Sequence, residues 1–160
     1  MNYIPISDGP WKGCGVFFVE ERPSSEILNV KTGAKILVLE DYDVVSRSLK
    51  RLLEKAGHGV ALAISAESAI GQAVELVSKK TAFDLAILDI SIPESSGGVE
   101  VLKTLRGLMP DLPAIVMSGA WNDPAMRNPS DFGFNAALKK PFSRDELIAV
   151  VNRILVKRGK

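Results

Sequence analysis

Five short apolar runs alternate with stretches of helical spacing from residue 35 to residue 157, and that alternation confines this chain to very few folds. The runs are Ile36–Leu39, Val60–Ile64, Leu85–Leu88, Ala114–Met117 and the shorter Ala136–Lys139. They are apolar without a polar alternation, which suits strands buried on both faces of a parallel sheet. Between them lie helix patterns. Val45, Leu49, Leu52, Leu53 and Ala56 share one helical face until Gly57 stops it. Ser65 is placed to cap a second helix with Ala66, Ala69, Ile70, Ala73 and Val77 inward. Val101, Leu102, Leu105 and Leu108 mark a third, closed by Pro110. Ser143 and Glu146 have capping-box spacing and open a last helix with Leu147, Ile148, Val151, Ile154 and Leu155 inward.

The expected class is therefore α/β, a five-stranded parallel sheet with right-handed crossovers and helices on both faces. The expected strand order is 2-1-3-4-5, the flavodoxin-like arrangement. The 160 residues divide into a loosely ordered N-terminal extension, 1–34, and one domain, 35–160. Pro5, Pro10, Pro23, Gly9, Gly13 and Gly15 punctuate the extension, where Val16–Val19 could form a short strand. A net charge of +1 with interspersed signs points away from an electrostatic nucleic-acid or membrane partner. The basic ending Lys157-Arg158-Gly159-Lys160 reads as a solvated helix end. Cys14 stands alone, so no internal disulfide forms, and a reducing, cytoplasmic location fits. No apolar run is long enough to span a bilayer. The single histidine, His58, lies between two glycines and is expected in a solvated turn, and no zinc site is expected.

Four of the five runs end in a residue able to carry chemistry: Glu40-Asp41, Asp89, Ser118 and Lys140. In the 2-1-3-4-5 order the first and third strands are central neighbours, so their acids converge at the carboxyl edge, where open α/β sheets bind ligands. Three acids at close range repel one another unless a hard cation sits among them, and Mg²⁺ favours such oxygen ligands. The Ser118 hydroxyl and the Lys140 ammonium beside them suit a phosphoryl group. The set fits transfer of a phosphoryl group onto a carboxylate, a reaction catalysed by positioning and charge neutralisation. Blander readings exist for each residue: Glu40 and Asp41 as helix caps, Asp89 and Ser118 as turn residues, Lys140 as a solvated charge.

Leu39-Glu40-Asp41, Leu88-Asp89-Ile90-Ser91-Ile92-Pro93, the loop Gly97-Gly98, Met117-Ser118-Gly119 and Lys140-Pro141-Phe142 stand in order over residues 35 to 157. Together they resemble the receiver domain of two-component response regulators. The resemblance implies that Asp89 is the phospho-acceptor, served by a histidine kinase or phosphotransfer protein. It implies Mg²⁺ on Glu40, Asp41, Asp89 and the main-chain carbonyl of Ser91, with Ser118 and Lys140 on the phosphoryl oxygens. It further implies that Ser118 swings inward on phosphorylation and signals to the face of the fourth helix, fifth strand and fifth helix. Such a chain is a signalling receiver rather than an enzyme on an external substrate. Since the sequence stops after the fifth helix, the expectation is a stand-alone receiver with no DNA-binding domain, acting on an unknown protein target. A phosphorylation-dependent dimer and a piece of a hybrid histidine kinase are further options.

Two departures from the family pattern stand out. The position three before the lysine, commonly aromatic, is Ala137, with Phe132, Phe134 and Trp121 as candidate substitutes. Asp123-Pro124 starts a fourth helix that Pro129 should break after about one turn. The rival from another class is a haloacid-dehalogenase-like phosphohydrolase. There Asp41, in Asp41-Tyr42-Asp43, would be the nucleophile and Asp89 would go unexplained.

Overall fold

The structure, a computed structural model, describes residues 32–92 and 97–157. The extension reading, the Val16–Val19 strand, Cys14, Pro93 and the basic ending from Arg158 lie outside the described residues. The first described residues enter through a turn in which the Gly33 N–H bonds the Gly57 carbonyl.

In chain order the elements are β1 (Lys35–Leu39), α1 (Asp43–Lys55), β2 (Gly59–Ala63), α2 (Ala66–Ser78), β3 (Leu85–Asp89) and α3 (Gly97–Leu108). Then come β4 (Ala114–Ser118), α4 (Pro124–Arg127), a 3-10 turn at Pro129–Phe132, β5 (Ala136–Lys139) and α5 (Arg144–Lys157). All strand pairs are parallel and the order is β2-β1-β3-β4-β5, as the sequence predicts.

Period-two alternation splits the strands into two apolar faces. Leu37, Leu39, Ala86, Leu88, Ala114 and Val116 bury one face with Ala69 and Ala73 of α2 and Leu102 and Leu105 of α3. Ile36, Val38, Leu85, Ile87, Ile115 and Met117 bury the other with Leu49 and Leu53 of α1 and Leu147 and Val151 of α5. Each fully buried leucine or isoleucine contributes about 1.5–3 kcal/mol of transfer free energy.

The helix caps follow the sequence. Ser65 Oγ accepts the Ser68 N–H at 3.2 Å. At α5 the Ser143 N–H donates to Glu146 Oε2 at 2.7 Å while the Glu146 N–H donates to Ser143 Oγ at 3.2 Å. Three details correct the sequence reading. β2 runs from Gly59 to Ala63, not to Ile64, because its pairing with β1 ends at Leu39↔Ala63, and Ile64 is exposed. Gly97 and Gly98 form the first turn of α3 rather than a loop. His58 is not solvated: it is only 4% exposed. Its position in the pleat explains this. Gly57, at φ +90°, turns the chain so that the His58 N–H bonds the Leu53 carbonyl. His58 then continues the inward row of Val60 and Leu62 one step before β2.

Candidate functional site: an acidic cluster at the carboxyl edge

Register places the acids together. Leu39 of β1 pairs with Leu88 of β3, so the next residues, Glu40 and Asp89, stand side by side. Parity then aims them. Glu40 continues the row of Ile36 and Val38, Asp89 that of Leu85 and Ile87, and Lys140 that of Ala136 and Leu138. All three project on the face that α1 and α5 cover. Ser118 has the opposite parity, that of Ala114 and Val116.

Lys140 Nζ donates to Glu40 Oε2 and to Asp89 Oδ2, both at 2.5 Å. Glu40 and Asp89 are buried, and Lys140 is 22% exposed along its side chain. Glu40 Oε1 also accepts the Tyr42 N–H at 3.1 Å, and Asp89 Oδ1 accepts the Ser91 N–H at 2.6 Å. Burial pushes the Glu40 carboxyl above its ordinary pKa, against the lowering pull of Lys140 and the Tyr42 N–H. Burial opposes the charge on Lys140 too, yet its hydrogen bonds to Asp89 and Glu40 hold the ammonium above the ordinary lysine value. The resting site is thus a charge-assisted bridge between two buried carboxylates.

Asp41 is exposed at the mouth. One carboxylate oxygen from each of Glu40, Asp41 and Asp89 lies within 4.8 Å of the other two. Oxygen donors of this charge and spacing fit a hard divalent cation. Neither Glu40 nor Asp41 caps α1, whose N-cap is Tyr42 without a side-chain bond. The turn role of Asp89 holds for one oxygen only, since Lys140 takes the other.

Ser118 is fully buried. Its Oγ accepts the Ala120 N–H at 3.0 Å, and its carbonyl accepts the Lys140 N–H at 2.9 Å. Ser118 Oγ also meets Ser91 Oγ at 3.0 Å. Sequence reasoning gave Ser91 a metal contact through its main chain and left its side chain only a part in tuning water access to the phosphoryl group; it did not foresee the contact with Ser118. Nothing in a period-two pattern reveals a contact between two loop-facing hydroxyls 27 residues apart.

Ala137 is half-buried on the α2–α3 face. Of the three candidate rings, Phe134 is buried, and Phe132 and Trp121 are exposed. Trp121, 65% exposed, lies under Lys139 Nζ at 5.8 Å from the ring centroid. α4 has four residues, and the Asn128 φ of −131° ends it before Pro129, as the sequence predicts. No helix among the described residues is long and apolar enough to cross a membrane.

The family model described as "Response regulator receiver domain" matches residues 36–152. The cell cycle response regulator CtrA of Brucella ovis is 30% identical over 126 residues, covering 79% of this chain and 51% of that protein. The chain thus spans about half the length of such curated relatives. Among solved structures, the Francisella response regulator 1452 receiver domain superposes with a TM-score of 0.65 at 28% identity, covering 80% of this chain and all of that one. NtrX of Brucella abortus, in complex with ADP, gives a TM-score of 0.69 at 28% identity, covering 80% of this chain and 29% of that one.

Proposed function

The chain belongs to the response regulator receiver family of two-component systems, and from that premise we propose that Asp89 accepts a phosphoryl group with Mg²⁺ in the adjoining acid cluster. The donor is the phosphohistidine of a histidine kinase or phosphotransfer protein, and the phosphorylated chain signals by contact with a protein target. The observation that carries this reading is the double bridge of Lys140 to Glu40 and Asp89 at the strand ends.

An Asp89 carboxylate oxygen attacks phosphorus, the histidine nitrogen leaves, and an acyl phosphate forms. Asp89 is suited to this because donors on both oxygens fix the plane of its carboxylate. Lys140 moves from the carboxylate to a phosphoryl oxygen without leaving the site. Ser118 supplies a hydroxyl to another. Glu40, Asp41, Asp89 and the Ser91 carbonyl hold the Mg²⁺, which when bound offsets the charge of acids and phosphoryl oxygens.

The hydrolase reading assigns the nucleophile to Asp41. Its exposure at the mouth, against the burial and doubly held oxygens of Asp89, favours Asp89. The test is incubation with Mg²⁺ and acetyl phosphate, followed by mass mapping of the adduct. Label is expected on Asp89, and Asp89→Asn should lose it. Label on Asp41, or undiminished label in the Asn variant, defeats the assignment.

A further inference from the structure

We infer that the Ser91 hydroxyl is a latch: it holds the Ser118 hydroxyl in the unphosphorylated chain and must release it before Ser118 can bind a phosphoryl oxygen. This rests on the receiver reading above, and adds a positioning residue to it.

A hydroxyl has one proton to donate and two lone pairs. Ser118 is completely buried, so water does not meet its needs. Its Oγ has two partners among the described residues, the Ala120 N–H and Ser91 Oγ. The Ala120 amide can only donate. The Ser118 proton therefore goes to Ser91 Oγ, its one acceptor among the described residues. Ser91 is exposed, so its own proton can go to solvent. The direction of the bond follows: Ser118 donates and Ser91 accepts.

In that state the single proton of Ser118 is committed. A phosphoryl oxygen on Asp89 has no hydrogen to donate, so Ser118 must give it the same proton. The bond to Ser91 is then lost or reversed. Ser91 is tied to the acceptor as well, through its N–H on Asp89 Oδ1 at 2.6 Å. One residue thus touches both the carboxylate that is modified and the hydroxyl that responds. The backbone of Ser91 is anchored to the acceptor while its hydroxyl holds the responder. Reversal needs the Ser91 proton to turn from solvent toward Ser118, so the exchange opposes phosphorylation by at most the strength of one neutral hydrogen bond. Removing the latch leaves the Ser118 proton unpaired at rest and favours the phosphorylated arrangement.

The test is calorimetric titration of the full chain with beryllofluoride, a phosphoryl analogue, at saturating Mg²⁺. Ser91→Ala should bind it roughly two- to tenfold more tightly than wild type, the range of one neutral hydrogen bond. Ser91→Thr, which keeps the hydroxyl, should return toward wild type. In a Ser118→Ala background the Ser91→Ala change should have no effect, because the latch has nothing to hold. Unchanged or weaker binding by Ser91→Ala overturns the inference and leaves the receiver reading intact. So does an equal gain in the Ser118→Ala background, or an effect traced to altered Mg²⁺ affinity. If the wild type takes up neither beryllofluoride nor label from acetyl phosphate, both the receiver reading and the latch fall.

Discussion

Gly98 shows how tightly the acceptor is built in. A Cβ on this residue would lie 2.8 Å from the Asp89 carbonyl oxygen and 3.1 Å from Ile90 Cγ2. Backbone cannot yield as a flexible side chain can, so α3 reaches the acceptor strand only because residue 98 is glycine. Gly98→Ala should destabilise the fold by about 1–3 kcal/mol, the cost of overpacking, read as a lower urea midpoint. It should also slow labelling of Asp89, since the clash falls on that residue's own main chain. Gly71 is the contrast: a Cβ there meets nothing within 4 Å, and it sits mid-helix in α2. Gly71→Ala should stabilise by about 0.5–1 kcal/mol in the same titration. Glu40, Asp41, Asp89, Ser118 and Lys140 were legible because each follows an apolar run whose end marks the carboxyl edge. That Lys140 bridges two of the acids was not, because the reach of a long side chain is set by packing and not by spacing.

At the scale of elements, α4 is the shortest α-helix of the described fold. It is one turn long, held by Asp123 Oδ1 accepting the Ala125 N–H at 2.8 Å and by the buried Ala125. Asp123→Ala should remove about 1 kcal/mol of capping. In so short a helix the loss is local. It should appear as roughly fivefold faster amide exchange at Met126 to Asn128 with little change in the global midpoint. Equal slowing or speeding across the whole sheet would speak against a local cap. The shortness of α4 was readable because Pro129 restricts Asn128 directly. All five strands were also readable, the central three most plainly, since burial on both faces leaves uninterrupted apolar runs. β2 is an edge strand, and its end is fixed by its register with β1 rather than by its own composition, so Ile64 was misplaced.

For the whole molecule, His58 couples stability to pH. Its ring is buried, and neither nitrogen has a partner among the described residues. Burial holds its pKa below the ordinary 6.5, against the pull of the Asp84 charge. On acidification the unfolded chain therefore takes up the proton first. The contribution to stability is complete above pH 6.5 and declines as the pH falls from there toward the lower folded value. Urea midpoints measured from neutral pH downward should fall across that window, and His58→Leu should flatten the decline. A wild-type midpoint constant through the window would show that the ring is solvated after all. The flanking glycines concealed this residue, because they signal a turn and say nothing about which side of the pleat the next residue takes.

The opposed parity of Ser118 and the three charged residues has a consequence for how such a protein can diverge. The sheet's backbone lies between the row of Glu40, Asp89 and Lys140 and the row of Ser118, and the two meet at the carboxyl edge, where Ser91 touches both Asp89 and Ser118. Substitutions on one side retune how readily the acid accepts its load, and substitutions on the other alter what a displaced hydroxyl presses against. Away from that edge, delivery and response can therefore change in separate steps, whereas a change at Ser91 touches both.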